Sequence, residues 1–332
     1  MIGVLAILWL VREAGTEALA ASMDRLLPWV PLLLLLEGGR IGLELLATRA
    51  VLGPHARSVP GRALLRAQLV GNSVVMSTPL GRPAGEAVKA LMLAPHVGTG
   101  RGFAVGVVGQ SLTLVVNGTL ALAGWAGASF ALAARADDGG AELVTAMAAM
   151  GAVTLGLGLG VQLAARSVAV SRAVGRIERA RIFIQRFRDA SAELSLVPTR
   201  PLLLMFASRG LQVAQFALLL YVFGTQLGLQ VVLVAQGIYL VGAAAGDLVP
   251  AQLGVIDGAF ALAAPLLGVS VATGIAIALA VHLAQLAWVA IGAFGGMLLG
   301  RGRQEAARPP AEEPRASEVG VAVTPSTPPV AG

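Results

Sequence analysis

Between Asn72 and Lys89 an apolar sequence is interrupted by Pro79, Gly81, Pro83 and Gly85, and the same stretch carries Arg82, Glu86 and Lys89. Two prolines this close cannot sit inside a continuous helix, because each removes a backbone donor and clashes with the preceding turn. The expected arrangement is a helix that ends near Thr78, a short break, and a new helix from about Pro83. Proline at the first helical position and Glu86 in the first turn would both suit a helix N-terminus. In a lipid environment such a break survives only where it is buried in protein or lines a watery cavity. Together with Asn72 at its start, the stretch is a candidate site for a charged ligand.

A second stretch, residues 246–258, has the same design. Pro250 and Gly254 interrupt it, and Asp257 follows Pro250 at the seven-residue offset that separates Glu86 from Pro79. A run rich in small apolar residues follows each carboxylate. Paired interrupted segments in corresponding positions of two halves point to a transporter's midplane binding site. Coincidence in a chain rich in Gly and Ala is the bland alternative.

The elements that would hold these stretches are membrane helices. Of 332 residues, 56% are hydrophobic and 13% charged, against roughly a quarter charged in a soluble domain, and the mean hydropathy is +0.80. Uncharged runs lie between Arg101 and Arg135, Glu142 and Arg166, Arg209 and Asp247, and Asp257 and Arg301. Each can supply the ~20 apolar residues that cross a bilayer. The expected fold is all-α, a polytopic helical membrane bundle of about 7–8 spans with two broken or re-entrant helices in an inverted repeat. Residues 1–11 read as a short first span and 28–48 as the second. Further spans read from about 103–134 (with Gly124 and Trp125 at an interface), 143–165, 201–223, 229–248 and 271–299. Residues 259–268 read as a partial helix.

Glu37, Arg40 and Glu44 lie within the second span at spacings that share one helical face, where opposite charges pair. Charges so deep usually face the bundle interior, and either a structural ion pair or a functional role fits them. Arg209 is a similar intrusion into a later span.

A net charge of +6 does not indicate nucleic acid. The cations are gathered in segments between apolar runs, and aromatic residues are only 5%, too few for a base-stacking surface. There is no cysteine, and His55, His96 and His282 are far apart, so neither a metal site nor a cofactor is expected. Residues 166–200 hold eight arginines, with Arg172, Arg176 and Arg179 on one face of a basic amphipathic segment suited to an anionic leaflet or to a solvated connector. This segment would join halves 1–165 and 201–300. Residues 301–332, rich in Pro, Glu and Arg, read as a disordered tail. Basic segments 49–66 and 166–200 and the tail would be cytoplasmic and the acidic segment 135–142 external.

Residues 72–93, with Pro79, Arg82, Gly85, Glu86 and Lys89, resemble the N-terminal motif of the lysylphosphatidylglycerol synthase transmembrane region, a flippase-like family. The segment from Pro250 to Asp257 resembles its second motif, with Ala251 and Gln252 where the family has glycines and Asp257 where it has Glu. His282 stands near where many members carry Arg. The resemblance spans about residues 1–300, and no aminoacyl-transferring synthase domain follows. It implies an integral membrane protein that moves a phospholipid or lipid-linked polar head group between leaflets, without being an enzyme. Glu86 and Asp257 would hold a cationic head group, and Arg40, Arg82, Lys89 and Arg209 the phosphate. The implied partners are phospholipids with anionic or aminoacylated head groups in the bacterial inner membrane. A non-transporting accessory to a lipid-synthesis enzyme is the alternative. An intramembrane lipid-modifying enzyme, with His282 beside Glu86 or Asp257, is a weaker one.

A reporter fused after Gly140 is expected on the outside, and reporters near Gln185 or after Gln304 in the cytoplasm. Cytoplasmic activity at Gly140 would break this arrangement of the halves.

Overall fold

In the computed structural model, residues 12, 16–78, 81–135, 141–167, 198–225, 227–247 and 249–306 are described. Residues 1–11, Pro79, most of the basic segment (168–197) and residues 307–332 lie outside them. The described residues form helices and contain no strand. We number the helices α1 (Thr16–Leu26), α2 (Val30–Leu52), α3 (Gly61–Ser77), α4 (Gly81–Val97), α5 (Thr99–Arg135), α6 (Ala141–Arg166), α7 (Thr199–Val222), α8 (Leu229–Ala245), α9 (Val255–Leu262), α10 (Ala264–Leu267) and α11 (Val271–Ala306). The chain is a helical membrane bundle.

Among the described residues, five candidate spans are long and apolar enough to cross a bilayer, centred on α2, α5, α6, α7 and α11, and α8 is a shorter apolar helix. These are fewer than the 7–8 expected, because the first expected span, 1–11, lies outside the described residues and both broken segments are built from helices of 17 residues or fewer. Residues 99–135 form one continuous helix, with no break at Gly124. The last helix runs to Ala306, six residues into the expected tail. The expected partial helix 259–268 is two short pieces, α9 and α10, that meet at Ala263.

The direction of each element follows from a few contacts. Helix α7 runs antiparallel to α2: Ser208 Oγ donates to the Arg40 carbonyl at 3.1 Å and Gln215 Nε2 to the Leu33 carbonyl at 3.4 Å. The rings of Trp29 and Tyr221 meet at 6.0 Å. The α3–α4 hairpin begins and ends where α2 ends, since Ser58 Oγ lies 3.4 Å from the His96 carbonyl. The hairpin of α8 with α9 and α10 begins and ends at the opposite end of the bundle, where Leu19, Phe223 and Ile275 pack together.

The packing is reciprocal. Helix α5, which follows the first hairpin, lies on α8 of the second, whereas α11, which follows the second, lies on α3 of the first. Exchanging α2 with α7, α3 with α8, α4 with α9 and α5 with α11 reproduces the same set of neighbours. Both crossings depend on a glycine. A Cβ at Gly124 would lie 2.7 Å from the Leu233 carbonyl oxygen, and one at Gly292 would lie 2.8 Å from that of Leu69. Small residues of this kind let membrane helices approach backbone to backbone. Gly124 is thus a crossing point within α5.

Gly124→Leu and Gly292→Leu are each expected to lower stability by about 1–3 kcal/mol through overpacking. Gly156→Leu on α6, where a Cβ meets nothing within 4 Å, is expected to be neutral. Thermal unfolding of detergent-solubilised protein compares the three.

Candidate functional site

The tips of the two hairpins meet inside the bundle. Gly81 adopts φ +46°, a left-handed conformation open to glycine, and starts α4 two residues earlier than the prolines suggest. A Cβ on Gly81 would stand 3.8 Å from Asp247 Oδ1 and 3.9 Å from the Asp247 carbonyl. Helix α3 also packs against the 3-10 turn Pro250–Gln252. Beside this junction lies a cavity of about 170 Å³. Arg82, Glu86 and Lys89 of α4 line it, as do Gln68 and Asn72 of α3, Arg40 and Glu44 of α2, Arg209 of α7, and Asp247 and Gln252 of the second break.

Charge compensation organises the cavity wall. Arg40 is buried between two carboxylates of its own helix: its Nη2 is 2.6 Å from Glu37 Oε1, and its Nη1 is 2.7 Å from Glu44 Oε1. The paired face of α2 inferred from spacing is therefore real, and Arg40 is consumed by it. Glu44 Oε1 is also approached by Arg82 Nη2 at 3.5 Å and Arg209 Nη2 at 3.7 Å. One carboxylate oxygen thus faces three guanidinium groups. Arg209 is 3% exposed; its Nη1 donates to Gln212 Oε1 at 3.1 Å, and its Nε has no partner. Lys89 Nζ lies 2.7 Å from Glu86 Oε1 and donates to Gln68 Oε1 at 3.3 Å.

Glycines at the break have different tasks. Gly85 is not part of the irregular backbone; a Cβ there would lie 2.6 Å from the Gly71 carbonyl oxygen, so it sets the close approach of α4 to α3. Pro83 falls in the first turn of α4, where its missing N–H costs nothing. Glu86 lies six residues into α4, beyond the first turn expected for it, and its immediate electrostatic partner is Lys89. Gly254, at φ 82°, caps the start of α9, and Pro250 opens the 3-10 turn before it.

Asp257 is not brought to the cavity. It is fully buried, its Oδ2 accepts the Gly254 N–H at 2.8 Å, and it lies 3.4 Å from His282 Nε2. The acid that the second break contributes to the cavity is Asp247. The equal proline-to-carboxylate spacing therefore does not give equivalent positions: α4 starts two residues after Pro79, while a 3-10 turn and Gly254 delay α9 to Val255. Neither Asp257 nor His282 touches Glu86 across the cavity wall, so the pairing considered for lipid chemistry is reduced to His282 with Asp257.

Several cavity residues had no motif to flag them. Gln68, Gln110, Asn117 and Gln285 line it, and behind Arg209 a buried amide chain runs from Gln236 Nε2 to Gln212 Oε1 at 3.3 Å. Gln285 Nε2 donates to the Tyr239 hydroxyl at 2.9 Å. Uncharged polar residues inside apolar helices were their only sequence signal, since buried amides must find partners.

A family model for the lysylphosphatidylglycerol synthase TM region matches residues 1–293. The chain belongs to this family. No curated protein and no solved structure matches it significantly. Membership makes it a multi-pass membrane protein related to lipid or envelope biosynthesis.

Arg40→Gln is expected to cost about 3–5 kcal/mol, because it strands Glu37 as an uncompensated buried charge, while Glu44 keeps Arg82 and Arg209. Neutralising Glu37 as well, in Arg40→Gln with Glu37→Gln, should restore much of that loss. Melting temperatures in detergent test both variants, and a mild effect of Arg40→Gln alone would mean that the triad is not structural.

Proposed function

We propose that the chain is a lipid transporter that moves a phospholipid or other lipid-linked polar head group between leaflets, with the head group in the central cavity and the acyl chains in surrounding lipid. The observation that carries this reading is the sharing of Glu44 Oε1 by three guanidinium groups. Arg40 is satisfied by its own helix, so Arg82 and Arg209 keep hydrogen-bonding capacity for a phosphate. Lys89 adds a third cation, and Glu86 and Asp247 offer acceptors to an ammonium on the same head group. Asn72 and Gln68 supply neutral partners beside them.

Transport across a bilayer needs a route exposed alternately to each side, and helix packing favours such a route. Two hairpins enter from opposite ends and exchange equivalent neighbours, the pattern of an inverted repeat, in which one half can rock against the other. No nucleotide-binding motif is present in the sequence, so movement would be downhill or coupled to an ion gradient. We place the protein in the bacterial plasma membrane with its C-terminus cytoplasmic, on the positive-inside bias of residues 49–66 and 166–200. Its role is transport without bond cleavage, and its partners are phospholipids.

Exchange of a fluorescent phospholipid between leaflets of reconstituted vesicles tests the reading. Arg82→Ala should lower the rate about 10–100-fold, the equivalent of losing a charged hydrogen bond of 1.5–3 kcal/mol. Glu86→Gln should impair exchange of an amine-bearing lipid more than of an anionic one. Monodispersity in detergent controls for folding. Normal exchange in the Arg82→Ala, Glu86→Gln double variant would sink the transporter reading and favour an accessory role.

A further inference from the structure

The second break is held in an unusual shape. Ala251 and Gln252 both have positive φ, 54° and 56°, followed by Gly254 at 82°. Left-handed backbone is strained for residues with a Cβ, and it persists only where surrounding contacts over-determine it. Two contacts do so here. Gln252 Nε2 donates to Asp247 Oδ1 at 3.3 Å, and Asp257 Oδ2 caps α9 at the Gly254 N–H.

The cap is an acid in a place where its charge is poorly matched. Asp257 is fully buried, and its Oδ1 has no partner. Among the described residues, the charge-capable group facing it is His282 of α11, 3% exposed, whose Nε2 stands 3.4 Å from Oδ2 without forming a hydrogen bond. Around this pair, α8 presents Tyr239, whose hydroxyl is held by Gln285, and α10 presents no titratable residue. Of the other helices on α11, α2 and α7 use Glu37, Arg40, Glu44 and Arg209 in the cavity network. On α1, Glu17, Asp24 and Arg25 are exposed; on α3, Arg62 is exposed and Arg66 half-buried. With His282 neutral, the pair buries one net negative charge; one added proton brings it to zero, whether as an imidazolium–carboxylate pair or as a neutral acid.

We propose that Asp257 and His282 form a proton-binding site whose occupancy sets the shape of the second break, and with it the position of Asp247 and Gln252 in the cavity. The proton binds at His282 Nε2 or on the Asp257 carboxylate, and no other bond is made or broken. Either way Asp257 Oδ2 is drawn from the Gly254 N–H toward His282, the cap on α9 weakens, and the strained turn relaxes. His282 is one helical turn from Gln285, which lines the cavity, so the proton site adjoins the head-group site. The inference deepens the transport reading by naming the coupling ion, and rests on that reading only for its second measurement.

The chain contains no cysteine, so a single one reports cleanly. Ala251→Cys, which keeps both contacts of the turn, and, as a reference at an exposed loop, Leu227→Cys are labelled with a small water-soluble thiol reagent in reconstituted protein. Their labelling ratio should change about fivefold between about pH 8 and pH 5, where imidazole changes charge, the population shift that follows from losing an N-cap. In Asp257→Asn and in His282→Gln backgrounds the ratio should be flat. A flat ratio in the otherwise unchanged protein, or a full change persisting in either variant, overturns the proposal. Where His282→Gln does not give monodisperse protein, Asp257→Asn decides. In the second measurement, lipid exchange in phosphatidylethanolamine–phosphatidylglycerol vesicles should depend on pH in the unchanged protein and not in Asp257→Asn. Exchange that is absent at every pH, with the labelling change intact, would refute transport while leaving the proton site standing.

Discussion

Glu44 carries the electrostatics of the bundle. Its Oε1 lies 2.7 Å from Arg40, 3.5 Å from Arg82 and 3.7 Å from Arg209, so one oxygen joins α2, α4 and α7 at the cavity wall. Burying cations at this depth is tolerated only where they find partners or face a polar cavity. Arg40 takes the first solution and is enclosed by Glu37 and Glu44 within a single helix. Arg82 and Arg209 take the second, because the shared oxygen cannot satisfy them. This division separates a guanidinium paired within its own helix from two that share the same Glu44 oxygen at the cavity wall, and nothing in residue type distinguishes them.

Backbone geometry obeys the same restriction. Helices cannot be interrupted against lipid, since unpaired N–H and C=O groups have no water to meet. Both interruptions are therefore brought to the centre, where Gly81 faces Asp247 and the α3 helix covers the Pro250–Gln252 turn. The long helices that follow each break, α5 and α11, close over the opposite hairpin through Gly124 and Gly292. The charged cavity thus lies among helices whose crossings leave no room for a side chain.

The two breaks solve the problem of starting a helix differently. At the first, glycine turns the chain and α4 begins almost at once. At the second, two residues with a Cβ occupy left-handed backbone, and an acid three positions into reach holds the cap. The first break therefore exposes its charged residues to the cavity, whereas the second spends Asp257 on its own geometry and leaves the cavity to Asp247.

Much was legible in the sequence because membrane burial leaves a strong compositional trace. Long apolar runs fixed the helical class, and paired prolines and glycines located both breaks. Spacing of three and four residues identified the Glu37–Arg40–Glu44 face, because neighbours along one helix are set by its pitch alone. Family membership followed from the same local motifs. Tertiary structure decided what joins across elements: Arg209 with Glu44, Gln285 with Tyr239, Gly81 with Asp247, and the withdrawal of Asp257 to His282. Local periodicity says which face of a helix a residue occupies, but not which helix lies opposite or how far a turn delays the next one. Those depend on glycine crossings between residues as distant as Leu69 and Gly292, and only the packed chain brings them together.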